Sequence, residues 1–210
     1  PYRVDFVKFG EYGTTSMFDC MFLYSGNLNV CPLIKETIET KFLPNASKNL
    51  DYYDLKYHNY LSSKHKNNKV YFNLGSVSPR SSATSFALSN CISMLMEIRG
   101  VGLNRSSFKR RIFTTYLLAN SFLNTALKEK EYIKNQLKSC NIFPDDITIK
   151  YKKEKSPYKL NMIDVYNHKI IPVDILLYNG LNCKKEITRK RPNYYICLLY
   201  TSPSPRDDAT

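Results

Sequence analysis

Glu97 and Arg99 stand two residues apart in Ser93-Met94-Leu95-Met96-Glu97-Ile98-Arg99-Gly100-Val101-Gly102, at the end of a short apolar run and just before a glycine turn. Read as a buried strand, the run carries a carboxylate to the end of a sheet, where open α/β sheets gather their chemistry. An acid in such a place needs a cation, a metal or a substrate beside it, because an isolated buried charge is costly. Two roles are open for Glu97: a carboxylate that moves protons, or one half of a structural ion pair with Arg99. Arg80 lies in the turn-rich stretch Gly75 to Ser82 that leads towards this strand. A guanidinium there suits a substrate carboxylate, which it can hold through paired hydrogen bonds; the alternative is an ordinary loop arginine.

The elements that must position these residues follow from pattern. Tyr2 to Phe9 reads as a strand, and Phe18 to Tyr24 as a second strand or a buried loop. Pro32 to Phe42 has helical spacing with proline near its start, and Pro44-Asn45-Ala46-Ser47 closes it. Residues 48–69 are polar and tyrosine-rich and read as a long surface excursion, with His58 and His65 as solvated side chains. Val70 to Leu74 is a short strand, Ala83 to Asn90 a short helix, and Cys91 to Met96 the strand ending at Glu97. Ser106 or Ser107 caps a long helix from about Phe108 to Lys130, whose residues Ile112, Tyr116, Ala119, Phe122, Leu123 and Ala126 fall on one face. After Cys140 the pattern turns to short β segments: Ile147 to Tyr151, Leu160 to Tyr166, Lys169 to Leu177 and Lys185 to Arg189. The expected fold class is α/β, a partial mixed-sheet domain over residues 1–140 followed by a small β extension over 141–196.

The 210 residues are enough for one domain with a real core. The formal net charge is +13, but the lysines are scattered and are not interleaved with aromatics at a base-stacking spacing, so a solvated basic face is expected and no specific nucleic acid. No apolar run reaches the length of a membrane span. Six cysteines include no Cys-x-x-Cys pair; Cys91 reads as a small core residue, and spacing does not decide whether the others pair. Residues 197–210 shift abruptly to Ser and Pro and read as translated sequencing-adapter read-through of the kind found in assembled environmental (metagenomic) sequence, so the chain reads as a frame cut at both ends.

The segment from Gly75 to Ala126 resembles the M14-type zinc carboxypeptidases, in particular a bacterial-style subgroup. The carriers are Glu97-Ile98-Arg99-Gly100, the helix opening Phe108-Lys109-Arg110-Arg111-Ile112, the upstream Ser78-Pro79-Arg80, and the closing Arg191-Pro192-Asn193-Tyr194-Tyr195-Ile196. The resemblance implies a metallopeptidase hydrolase that cleaves C-terminal peptide or amide bonds in peptide substrates, in a periplasmic or extracellular setting. It implies zinc in the intact parent, held by a His-x-x-Glu pair and a distant histidine. A carboxylate at the Glu97 position would activate the metal-bound water and protonate the leaving amine, Arg80 would anchor the substrate carboxylate, and Arg99 would orient Glu97 or touch substrate.

The match breaks at the metal. His58, His65 and His168 are followed three residues on by Leu61, Asn68 and Ile171, so no His-x-x-Glu occurs. Where the family's third ligand is expected the chain reads Lys8-Phe9-Gly10-Glu11-Tyr12-Gly13-Thr14, with Gly10 in the histidine position and Lys8 in an aspartate position. The expectation is therefore no metal ligands in this chain and an inactive fragment. Two other readings stand beside it: a non-catalytic relative of the same fold that binds peptide or glycan, and, third, a basic polyanion-binding module.

Overall fold

The computed structural model describes residues 18–66, 69–99, 108–140, 146–163 and 169–190. The expected strand Tyr2 to Phe9, the Lys8–Thr14 segment, the loop from Gly100, the serine caps, His168 and the Arg191 motif lie outside them.

Phe18 to Tyr24 forms β1 (Cys20–Tyr24), every residue of which is buried. A continuous apolar run suits a strand covered on both faces. β1 is the centre of a three-stranded mixed sheet, parallel to β2 (Tyr57–Asn59) and antiparallel to β5 (Met94–Ile98). Its alternation divides the core. Cys20 and Phe22 point towards helices, with Ala46, Leu50, Leu55 and Leu118. Met21 points the other way, among Phe18, Leu61, Phe72, Leu160, Met162 and Leu177 of a second sheet.

That second sheet has the order β3 (Leu61–Lys66), β4 (Lys69–Leu74), β7 (Ile170–Lys190), β6 (Asp146–Ile163). It takes strands from both sides of residue 140, because β4 pairs in parallel with Leu177 to Asn179 of β7. The short β segments expected after Cys140 are in fact two long strands. Pro157 does not interrupt β6, an edge strand, and Pro172 sits where β7 has only β6 beside it among the described residues. The two sheets meet at glycines. A Cβ on Gly26 would lie 1.8 Å from the Gly180 carbonyl oxygen, and Gly75 adopts a φ of +67° behind the isolated bridge Ser25–Ser76.

The helix starting at Pro32 does not close at Pro44. α1 (Pro32–Thr37) runs through a π-helical turn, Ile38–Phe42, into α2 (Leu43–Tyr52). Pro44 has no N–H to donate and its ring crowds the preceding turn, so the widened turn lets the helix pass it. The same widening keeps the four-residue repeat Ile34, Ile38, Phe42, Ala46 and Leu50 on one buried side. Residues 48–69 are likewise not a surface excursion: they finish α2 and supply β2 and β3.

α3 (Ser82–Leu88) precedes β5, and α4 (Phe108–Lys128) and α5 (Lys130–Ser139) follow it. The apolar face of α4 is outside. Ile112, Tyr116, Ala119, Leu123 and Ala126 are exposed and only Phe122 is partly covered, while Thr114, Leu118, Ser121 and Thr125 are buried. Small side chains let α4 lie close against α2, where Asn45 Nδ2 donates to Thr125 Oγ1 over 3.1 Å and Lys41 pairs with Glu129 at 3.0 Å. A disulfide joins Cys31, just before α1, to Cys140, just after α5. Cys91 is not a core residue: it is exposed in the turn after α3, and the strand starts three residues later, at Met94. None of the described helices is long and apolar enough to cross a membrane.

Candidate active site

Glu97 is the fourth residue of β5 and pairs directly with Met21 of β1. Its strand alternates: Met94, Met96 and Ile98 pack on the helix-side core, which places Leu95 and Glu97 on the opposite face. There Glu97 is half-buried. Its charge reaches Tyr60, whose hydroxyl is held above its ordinary pKa by burial first and by the Glu97 carboxylate second. Tyr60 is fixed by its backbone: its N–H donates to the Phe22 carbonyl over 2.8 Å, and its carbonyl accepts from Gly75 N–H over 2.9 Å. The carboxylate thus shares the face on which its partner Met21 meets the second sheet. Tyr60 did not figure among the sequence candidates because its neighbourhood reads as a loop; the tyrosine-rich composition was the available signal.

Arg99 turns to Asp19. Its backbone N–H donates to the Asp19 carbonyl over 2.9 Å and its Nη1 lies 3.8 Å from Asp19 Oδ1. Arg110, in the first turn of α4, brings Nε to 3.3 Å from the same oxygen, and the Lys56 N–H donates to Asp19 Oδ2 over 2.9 Å. Asp19 thus ties the end of β5, the start of α4 and the approach to β2 to the head of β1. Burial and the neighbouring Arg110 charge push the Arg99 pKa down, and Asp19 opposes them. In this arrangement Arg99 braces the strand end on which Glu97 rides.

Arg80 is exposed on the loop between β4 and α3, where its N–H donates to Ser78 Oγ over 3.3 Å. That loop is anchored at the far end of β1: Ser76 bridges Ser25, and Asn27 Nδ2 donates to the Val77 carbonyl over 2.8 Å. Ser25 stands four residues along the chain from Met21, the partner of Glu97, so the loop's root and Glu97 are separated by about 13 Å along the strand direction. His58 is no surface side chain. It is half-buried on β2, 5.0 Å from the Phe18 ring, with Nδ1 2.7 Å from the Asn59 carbonyl and Nε2 3.1 Å from the Tyr158 hydroxyl of β6. Burial lowers its pKa, and its contacts join the two sheets. Among the described residues, no three His, Cys, Asp or Glu side chains gather to hold a metal ion. The zinc that the family resemblance implies does not fit them.

Compared with known proteins, the chain is distantly similar to fungal proteins named carboxypeptidase 2. It is 22% identical over 183 residues to a probable carboxypeptidase 2 of Trichophyton verrucosum, and equally so to one of Arthroderma benhamiae, the match covering 85% of this chain and 35% of each relative. Carboxypeptidase 2 of Trichophyton rubrum is 22% identical over the same share of the chain and 34% of its own length. The chain thus spans about a third of the length of these relatives. No protein-family model and no solved structure matches it.

Proposed function

We propose that the chain is the Glu97-bearing part of a metallocarboxypeptidase-like hydrolase acting on C-terminal peptide or amide bonds. The reading rests chiefly on one placement: Glu97 is half-buried near the end of a strand, on the face opposite the helix-side core, while Asp19 pairs with Arg99 at the strand end just beyond it. In this reading Glu97 takes the proton of the attacking water and returns it to the leaving amine. Arg80 holds the substrate's terminal carboxylate through paired hydrogen bonds. The fungal similarity supports the reaction class. No three metal-ligating side chains gather among the described residues, and the chain alone is expected to be inactive.

The test uses this chain and a form extended to the length of its relatives. Hydrolysis of a blocked dipeptide by the extended form should fall by roughly a thousandfold or more with Glu97→Gln, with substrate binding retained, whereas Arg80→Ala should raise KM. The chain alone should give no hydrolysis with zinc added. Full activity of the Glu97→Gln form overturns the proposal. Peptide binding without hydrolysis in the extended form would favour the non-catalytic relative.

A further inference from the structure

Beyond Asn179 the register leaves β7 paired only with β6 among the described residues. Residues 146–153 and 183–190 therefore form a two-stranded ribbon, about 27 Å long at the usual strand rise. It carries Lys150, Lys152, Lys153, Lys184, Lys185, Arg189 and Lys190 against only Asp146 and Glu186. Lys150 pairs with Glu186 at 3.2 Å. Lys152 stands directly opposite Lys184 across the ladder, an arrangement that repels unless a counter-charge lies over it. Every residue from Lys184 to Lys190 is exposed, as are Lys150 and Lys152. The ribbon is held towards both ends: at its root Lys153 Nζ reaches Asn73 Oδ1 at 3.1 Å, and towards its outer end Asn29 exchanges two hydrogen bonds with the backbone of Thr148, at 2.7 and 2.9 Å.

We infer that this ribbon is a docking surface for an extended acidic polysaccharide, whose sulfate or carboxylate groups lie over the Lys152–Lys184 pair and its neighbours. A linear polyanion matches the ribbon in shape and charge. Two observations favour a glycan over a nucleic acid. Tyr151 is the one aromatic residue on the ribbon, which gives bases no stacking platform. The Cys31–Cys140 disulfide belongs to an oxidising compartment, where the abundant polyanions are glycans. The inference is independent of the peptidase reading, since no residue of the ribbon takes part in it.

The test is binding of the purified chain to a fluorescent sulfated oligosaccharide, followed by anisotropy across a salt series. The triple variant K152E/K184E/K185E should lose roughly tenfold or more in affinity and flatten the salt dependence. The control K109E/K130E/K138E makes the same net-charge change on exposed helix positions and should stay within about twofold of the parent. Circular dichroism checks that both variants fold. Equal losses in the two variants, no binding by the parent chain, or tighter binding of single-stranded DNA or anionic lipid vesicles than of the oligosaccharide would each overturn the inference.

Discussion

The helix from Pro32 to Tyr52 and α4 are of similar length and lie against one another, yet they meet solvent differently. The first buries Ile34, Ile38, Phe42, Ala46 and Leu50, so its apolar stripe and its inner face coincide. α4 buries Thr114, Leu118, Ser121 and Thr125 and exposes Ile112, Tyr116, Leu123 and Leu127, at 51, 63, 71 and 75%. Hydrophobic period alone therefore fixes which residues share a face of a helix, not which face is inside. On α4 the small face won because it lets the helix approach α2 closely, with Phe42 and Phe122 rings 6.0 Å apart filling one end. An apolar stripe of this kind, left outside, is the mark of an element that meets other surfaces. It borders a cavity of about 380 Å³ lined by Phe42, Met94, Met96, Phe122, Leu123 and Leu137.

The contrast is broken most forcefully by truncating each stripe in turn. Leu50→Ala, at a fully buried position, should cost about 2–5 kcal/mol of unfolding free energy in urea. Leu123→Ala, on the outer stripe of α4, should stay within about 0.5 kcal/mol. A large loss at Leu123 would mean that α4 is turned the other way. Of similar size is the disulfide, which closes the helical layer across a sequence separation of 109 residues. Cys31→Ser or reduction should cost about 2–5 kcal/mol, read as a lowered midpoint that a reductant no longer shifts in the variant.

Much of the scaffold was legible from pattern, because β1, β4, α3 and α4 carry strong local signals: an unbroken apolar run, a short β-branched and aromatic stretch, a periodic helix. What escaped depended on partners distant in sequence. Nothing local says that a helix will pass Pro44 by widening one turn, and the tyrosine-rich stretch becomes β2 and β3 only because β1 and β4 lie beside it. The placement of Glu97 near a strand end was readable in Met94–Ile98. The reach of its charge to Tyr60, the clasp of Arg99 and Arg110 on Asp19, and the pairing of Cys31 with Cys140 needed the fold.

Next in size is a pH effect from beneath the two helices. Cys20 lies in the cluster shared by Ala46, Leu50 and Leu118, and its thiol is pushed up from 9.0 to about 12 by burial and then by the Asp19 charge. The folded state thus keeps a proton that the unfolded chain gives up. The stability this confers is present below about pH 9 and is lost as pH rises towards 12. Burial raises the Tyr24 hydroxyl too, with Glu39 accepting its hydrogen bond, so both groups steepen the alkaline limb. Cys20→Ala should flatten part of that limb in urea titrations between pH 8 and about 11. On the acid side His58 works in the opposite sense. Its lowered pKa favours the neutral ring in the folded state, so its contribution is whole above its ordinary 6.5 and fades as pH falls below it. His58→Gln should remove that acid dependence, and an unchanged acid limb would place the ring in solvent.

The smallest effect tests why the polar face of α4 is inside at all. Ser121 Oγ is buried with no hydrogen-bond partner among the described residues, whereas Thr125 Oγ1 accepts from Asn45 and Thr114 Oγ1 donates to the Arg110 carbonyl within the helix. A buried hydroxyl without a partner costs free energy, and removing it costs only its few contacts. Ser121→Ala should therefore be neutral or stabilising by up to about 1 kcal/mol, while Thr125→Val, which removes the acceptor of the exposed Asn45 amide, should destabilise by up to about 1 kcal/mol. If small volume is what the α4–α2 contact demands, Ser121→Leu must be far worse than either, because the added atoms push α2 away. Equal tolerance of Ala and Leu at position 121 would show that the close approach of the two helices does not hold this face inward.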